Sequence, residues 1–201
     1  PSLLHTTREN LRFLDRVAIF EIGAIYLPVE EPDGRARLLP DEPRHLGIVM
    51  TGPREAQSWL EGQDRAPVGF YDLKGVVESL LDRLGLEVTF KPGEHSAFHP
   101  GRCAQVNVGD REVGVMGELH PVVREAFDLP AQSVCALEFD LDRLLEAWGA
   151  PRRVSAISIH PPVYEDLAVV VDNELPAVRV RDLIAQTGAP LVRSVELFDV
   201  Y

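Results

Sequence analysis

Two strand-like runs of this chain are separated by only two residues, Gly109-Asp110, and this spacing restricts the fold more than any other feature of the sequence. The runs, 102–108 and 111–116, are rich in apolar residues, mainly valine. Because Gly and Asp tolerate positive φ, a two-residue loop of this kind is typical of a tight hairpin between antiparallel strands. The middle of the chain is therefore predicted to form an antiparallel sheet.

The other apolar patterns follow one another without a regular alternation of strand and helix. The run 17–27 is almost continuously apolar and predicts a long central strand buried on both faces. Further strands are predicted at 44–52, 86–90 and 134–139, and helices at 3–14, 53–67, 72–85, 121–127 and 140–148. Trp59, in the short helix and turn of 53–67, is interpreted as a packing anchor. Consecutive strands with few helices indicate an α+β fold.

The clearest helix in the sequence is 72–85, where apolar residues recur at helical spacing. Asp72 can accept hydrogen bonds from the first free amides, and Gly85 can end the helix in a left-handed conformation. Lys74 lies at the positive end of the helix dipole, where a cation is mildly unfavourable. A partner carboxylate for Lys74 is one interpretation, and a solvated lysine is the other.

The sequence predicts two domains, 1–150 and 151–201, because the segment 149–153 is rich in Gly, Pro and Arg and breaks the pattern. After it come a strand at 167–171, a helix at 176–187 and a second strand at 192–200. This order is one βαβ unit, and a ferredoxin-like fold needs two such halves. Since the chain also has no Met at position 1, we expect it to be a piece of a longer protein.

Charge and composition exclude several classes of protein. The net charge is −12, and residues 1–150 carry 15 basic and 25 acidic residues, so this chain by itself should bind RNA poorly. No apolar run is long enough for a membrane span. Cys103 and Cys135 lack ligand spacing and are interpreted as buried, reduced thiols, which fits a cytoplasmic location.

Three short polar blocks lie in apolar surroundings: Tyr71-Asp72-Leu73-Lys74-Gly75, His99-Pro100-Gly101-Arg102 and Gly117-Glu118-Leu119-His120-Pro121. Histidine can serve as a base or a metal ligand. However, the chain has no nucleophile elbow, no HExxH and no Gly-rich phosphate loop. Pro after His favours a turn, so the two His-Pro blocks are interpreted as turns that place strand ends.

In order and spacing, these blocks resemble the β subunit of bacterial phenylalanyl-tRNA synthetase. The resemblance continues at Phe20-Glu21-Ile22-Gly23, Glu138-Phe139-Asp140-Leu141-Asp142 and Leu197-Phe198-Asp199-Val200-Tyr201, and so covers essentially the whole chain. It implies a class II aminoacyl-tRNA synthetase-like antiparallel sheet flanked by helices, followed by a partial ferredoxin-like βαβ unit from an anticodon-binding domain.

The resemblance also implies a function. The family attaches phenylalanine to tRNA-Phe with ATP and Mg²⁺ in a cytoplasmic (αβ)₂ heterotetramer, and the chemistry lies in the α subunit. Class II enzymes bind ATP on a glycine-rich strand, where this chain has Glu138, Phe139, Asp140 and Asp142. Arg143 is interpreted either as the counterpart of an ATP-binding arginine or as a lone surface arginine. We therefore expect a non-catalytic scaffold with no cofactor or metal of its own.

Residue roles in such a scaffold follow from the same resemblance. Eight residues are interpreted either as a structural motif or as part of the subunit interface: Asp72, Lys74, Gly75, His99, Gly101, Arg102, Glu118 and His120. Arg179, Arg181 and Arg193 are interpreted either as solvated surface residues or as contacts to tRNA. Glu165 replaces the basic residue that the family usually has before its Asp-Leu pair.

Two alternatives stay open at this point. One is a small enzyme that uses His99, Asp72 and Lys74 around a pocket, which requires these groups to converge. The other is a synthetase-like regulatory paralogue that binds RNA or protein.

Overall fold

A computed structural model of the chain describes residues 1–29, 39–59, 64–148 and 160–200, in two compact units, Pro1–Arg153 and Val154–Tyr201. In the first unit the strands are β1 (Val17–Ala24), β2 (Arg44–Thr51), β3 (Val88–Pro92), β4 (Phe98–Val108), β5 (Arg111–Leu119) and β6 (Val134–Asp140). The helices are α1 (Ser2–Asn10), α2 (Phe70–Leu84), α3 (Pro121–Ala126) and α4 (Leu141–Ala147), with α5 (Ala177–Gly188) in the second unit.

All six strands form one antiparallel sheet in the order β1-β2-β6-β5-β4-β3. The predicted α+β fold with an antiparallel sheet is confirmed. The predicted hairpin is also present, since Val108 pairs with Arg111 and Gly109 has a φ of +58°. The linker predicted at 149–153 lies outside the described residues.

Apolar residues form a core on each face of the sheet. On one face, α2 contributes Leu73, Val77 and Leu81, and α4 contributes Leu144. On the other face, side chains of α1 and α3 cover a smaller cluster around Val49. Alternate residues of the central strands β2 and β6 enter opposite cores, as the two-residue period of a strand requires.

Helix α2 begins two residues earlier than predicted, at Phe70, with Gly69 as its N-cap. Asp72 is therefore the third helical residue, and its Oδ2 accepts a hydrogen bond from the backbone N–H of Gly69 at 2.8 Å. This reciprocal contact satisfies an amide at the helix start. The predicted C-terminal end is confirmed, since Gly85 is left-handed with a φ of +74°.

The prediction that 17–27 forms a central strand buried on both faces is wrong. β1 spans Val17–Ala24 and is an edge strand, because it pairs with β2 alone among the described strands. Phe20 and Ile22 are 71% and 59% exposed. An apolar run in the sequence does not distinguish a central strand, which the rest of the chain buries, from an edge strand that stays exposed.

The two strands predicted in the second domain do not form a ladder. Within 160–200 the structure has α5 but no hydrogen-bonded strand at 167–171 or 192–200. A strand requires a neighbour for its backbone groups, and in a split βαβ unit another strand lies between the two parallel ones. The segments 167–171 and 192–200 would therefore not be hydrogen-bonded to each other.

The helix predicted within 53–67 is also wrong for the described part of that segment, 53–59 and 64–67. Pro53 and Pro67 form an isolated antiparallel bridge there. Trp59 is 91% exposed and is not a packing anchor. The segment is held by polar contacts, including the ion pair between Arg54 Nη1 and Asp64 Oδ2 at 3.1 Å.

Candidate functional site

The three polar blocks meet at one cleft, which lies where α2 begins beside β4 and β5. The cleft has a volume of about 370 Å³. Its lining residues are Phe70, Tyr71, Gly101, Arg102, Cys103 and Glu118. The sequence pattern singled out the blocks but did not predict that they converge.

A bulge in β4 forms one wall of this cleft. Phe98 pairs with Leu119 and Cys103 pairs with Gly117, so the four residues His99–Arg102 of β4 lie opposite Glu118 alone. Gly101, with a φ of +78°, allows the chain to make this bend. The predicted turn at His99–Arg102 is thus a bulge within a strand rather than a loop between strands.

Gly117 allows the bulge to lie close to β5. A Cβ atom at Gly117 would be 2.7 Å from the Arg102 carbonyl oxygen and 2.8 Å from Phe98 Cγ. No side chain can occupy that space without moving the bulged backbone. Gly117, the first residue of the third polar block, is therefore required by the bulge that the second block, His99–Arg102, forms.

The polar centre of the cleft is an ion pair between Arg102 and Glu118. Arg102 Nη1 donates to Glu118 Oε2 at 2.7 Å. The Glu118 side chain is 15% exposed, whereas that of Arg102 is 56% exposed. The largely buried carboxylate thus orients a guanidinium that stays open to solvent.

The two histidines next to the cleft use their Nδ1 atoms in local contacts. His99 Nδ1 donates to the Pro100 carbonyl oxygen at 2.6 Å. His120 is the N-cap of α3, and its Nδ1 accepts from the backbone N–H of Val122 at 3.2 Å. The ring centroids of His99 and His120 lie 6.4 Å apart, and the ring planes are inclined by 30°. Within the described ranges, no group of three or more His, Cys, Asp or Glu residues could hold a metal ion.

The predicted site residues of α2 have separate partners. Asp72 Oδ1 bonds Arg54 Nε at 2.8 Å, while Lys74 pairs with Glu78 one turn later and lies 4.8 Å from the centre of the Phe90 ring. The carboxylate partner considered for Lys74 is thus Glu78. No hydrogen bond or ion pair in the described part of the chain joins Asp72, Lys74 and His99, so the convergence required for a small enzyme is not seen.

A second polar group lies at the corner where β6 leads into α4. Phe139 is fully buried in the core, while Glu138 Oε1 bonds His45 Nδ1 at 2.7 Å. Asp140 caps α4, accepting from the backbone N–H of Arg143 at 3.0 Å and pairing with its guanidinium.

Asp142, the next acidic residue at this corner, pairs with Arg44 at 2.6 Å. The side-chain hydrogen bond from Arg44 lowers the pKa of Asp142 below its usual value. Each of the three carboxylates at this corner therefore has a basic neighbour.

The three arginines predicted to contact tRNA are exposed in the second unit. Arg181 Nη2 bonds the adjacent Asp182 carboxylate at 2.8 Å. Arg179 and Arg193 have no ion pair or side-chain hydrogen bond among the described residues.

Sequence reasoning missed Phe70 and Cys103 as lining residues and gave no role to Tyr71. Tyr71 is 80% exposed and its ring meets that of Phe70 edge-on at 5.5 Å. The sequence did contain one sign of a role for Tyr71: this residue lies at the start of α2 but outside the apolar stripe of that helix.

Comparison with protein families matches both parts of the chain. The model of the phenylalanyl tRNA synthetase beta chain CLM domain matches residues 1–141. The model of the ferredoxin-fold anticodon binding domain matches residues 158–201.

Curated relatives align with the whole chain. The phenylalanine–tRNA ligase beta subunit of Symbiobacterium thermophilum is 40% identical over 203 residues, which are 22% of that protein. Those of Oceanobacillus iheyensis and Geobacillus kaustophilus are 35% and 36% identical, and the chain covers 24% of each. The chain thus spans about a quarter of the length of these relatives.

A solved structure of a pyrrolysyl tRNA synthetase from Desulfitobacterium hafniense is similar at a TM-score of 0.49 and 23% identity, over 72% of this chain and 46% of that one.

Proposed function

Since this chain belongs to the family of the phenylalanyl tRNA synthetase beta chain, we propose that it is a non-catalytic scaffold within such a subunit. It supports an α subunit and tRNA-Phe while the α subunit attaches phenylalanine with ATP and Mg²⁺ in a cytoplasmic (αβ)₂ assembly. Residues 1–150 act as a class II core-like domain, and residues 151–201 as the first half of an anticodon-binding domain.

The observation that carries the scaffold role is the corner of β6 and α4. Phe139 has no exposed surface, and Glu138, Asp140 and Asp142 are used in internal contacts with His45, Arg143 and Arg44. Groups that bond one another at the end of a central strand stabilise that strand and its helix. They are not held free for a ligand.

The open edge of β1 supports the existence of a partner chain. An edge strand presents unpaired backbone groups, and proteins often protect such edges with Pro or Lys. The opposite edge strand, β3, contains Lys91 and Pro92, whereas β1 has neither and exposes Phe20 and Ile22. We assign this edge to the contact with the α subunit.

The decisive experiment uses the full-length β subunit assembled with its α subunit. Phe20→Asp should raise the α/β dissociation constant about tenfold or more, because it buries a charge in an apolar contact. Thr89→Asp is the matched control, since it adds the same charge at an exposed position of the other edge strand. Equal affinities for the two variants would exclude the β1 assignment.

The same complex tests the absence of nucleotide chemistry at the corner. Glu138→Gln and Asp142→Asn keep shape and remove charge, so ATP-dependent pyrophosphate exchange by the assembled enzyme should change by less than about tenfold, or 1.4 kcal/mol. Loss of exchange with subunit assembly intact would show that these carboxylates take part in the chemistry. Removal of residues 1–150 should abolish aminoacylation, and undiminished activity would contradict the support role.

A further inference from the structure

The cleft between α2, β4 and β5 presents hydrogen-bond donors that this chain does not use. Within the described part of the chain, the Arg102 guanidinium bonds through Nη1 alone, to Glu118. A guanidinium has five N–H donors in a fixed plane. Tyr71 also lines the cleft, its side chain is 80% exposed, and its hydroxyl has no hydrogen bond among the described residues.

Glu118 prepares Arg102 to receive an acceptor. The carboxylate is largely buried on β5, and the guanidinium emerges from the unpaired bulge of β4, next to Cys103, which pairs with Gly117. An arginine held in this way loses less side-chain entropy when it binds a carboxylate in a bidentate manner. The solvent-exposed guanidinium of Arg102 is thus oriented by Glu118 at the opening of the cleft.

Helix α2 has, close to the cleft, a half-buried glycine that the chain's own packing does not explain. Gly75 lies one turn after Tyr71 on the same face. A Cβ atom there would have no described neighbour within 4 Å, and its φ is an ordinary helical one. Glycine inside a helix is destabilising relative to alanine, so its use at an open position indicates the close approach of something outside this chain.

We propose that this cleft is a docking site for a segment of a partner protein that presents a carboxylate beside an apolar side chain. The carboxylate bonds Arg102 and the Tyr71 hydroxyl, the apolar side chain lies against Phe70 and Tyr71, and the partner backbone passes over Gly75. Tyr and Arg are the residue types most enriched at the energetic centres of protein interfaces. The proposal rests on the proposed function only in taking the partner to be a chain of the assembled synthetase.

Charge favours a protein partner over RNA. Residues 1–150 have a net charge of −10, and Glu118 and Asp72 lie at or beside the cleft. A single carboxylate can be accepted by one arginine, whereas an RNA backbone would bring a row of phosphates against an acidic surface. The cleft also differs in place from the β1 edge, since β2, β6 and β5 lie between β1 and β4.

The test replaces Tyr71 with p-benzoylphenylalanine in the purified full-length complex and irradiates it with and without tRNA. We expect a cross-link to a protein chain, mapped by mass spectrometry to a peptide with Asp or Glu next to an apolar residue. A cross-link to tRNA, to a peptide without an acidic residue, or to nothing would overturn the proposal.

Three variants in the same complex separate docking from folding. Gly75→Ala should leave the melting temperature of the unbound subunit unchanged or higher and weaken association about tenfold, because its methyl group blocks the approach. Arg102→Gln should weaken association similarly, and Arg102→Lys should restore it only in part.

If Gly75→Ala and Arg102→Gln both associated with wild-type affinity, docking at the cleft would be disproved. It would leave the scaffold role standing, provided that Phe20→Asp still weakens assembly.

Discussion

Two glycines of β5 owe their identity to contacts with residues distant in the sequence. Gly117 is required because the bulge of β4 lies within 2.8 Å of where its side chain would begin, and Gly114 is required because a Cβ atom there would be 2.2 Å from the Glu138 carbonyl oxygen. Neither requirement is visible locally, since both glycines lie inside a strand pattern. The sequence marked the block that contains Gly117, but only the paired strands explain it.

The thiol of Cys135 gives a prediction at the residue scale. Burial raises its pKa from 9.0 to about 11. Because the unfolded chain releases this proton more readily than the folded one, stability contributed by the protonated thiol should be lost as the pH rises from about 9 to about 11. The difference in unfolding free energy between wild type and Cys135→Ala should shrink by about 1 to 3 kcal/mol over that interval.

Chemical denaturation at pH 8 and at pH 11 measures this difference, and Cys103 stays in both proteins as an internal control. A difference that does not vary with pH would contradict the assignment.

At the scale of elements, amphipathic helices were easier to predict than the environment of strands. The apolar spacing of α2 determined its existence, its buried face and its end at Gly85. For β1 the same type of evidence, an apolar run, predicted burial that the sheet order does not provide. A helix carries its hydrogen bonds within itself, whereas a strand acquires its environment from its neighbours.

The cap of α4 provides a prediction for an element. Asp140→Ala removes the hydrogen bond to the Arg143 amide and should lower the free energy of unfolding by about 1 kcal/mol. Asp140→Asn keeps an acceptor and should cost less. Arg143→Ala removes the exposed ion pair alone and should have a smaller effect still. Urea denaturation distinguishes the three, and equal stability of the Ala and Asn variants would argue against the cap.

At the scale of the whole molecule, the net charge limits how this chain can bind an RNA. With a net charge of −12, the chain offers few places where phosphates can be neutralised. Under the proposed function, contacts to tRNA are therefore local and are assigned to the three exposed arginines of the second unit. No helix in the described ranges has the length and apolar character needed to cross a bilayer.

This charge argument predicts unequal roles for those arginines in the assembled synthetase. Arg179→Ala and Arg193→Ala should each reduce the slope of log affinity for tRNA against log salt by about 1. Arg181→Ala should reduce it less, because Asp182 already pairs with that guanidinium. Lys91→Ala in the other unit removes the same charge and serves as the control. If all three arginine variants gave the same salt slope as Lys91→Ala, the arginines would not be part of the tRNA contact.

The sequence by itself determined the antiparallel α+β fold, the hairpin at Gly109-Asp110, helix α2 and, through its polar blocks, the family. These features depend on local backbone preference and on residue order, which a linear pattern records. Only the tertiary structure decided that β1 is an open edge, that His99–Arg102 bulges opposite Glu118, and that Tyr71 and Arg102 share one cleft. Strand order and register arise from contacts between residues distant in sequence, and no local pattern specifies them.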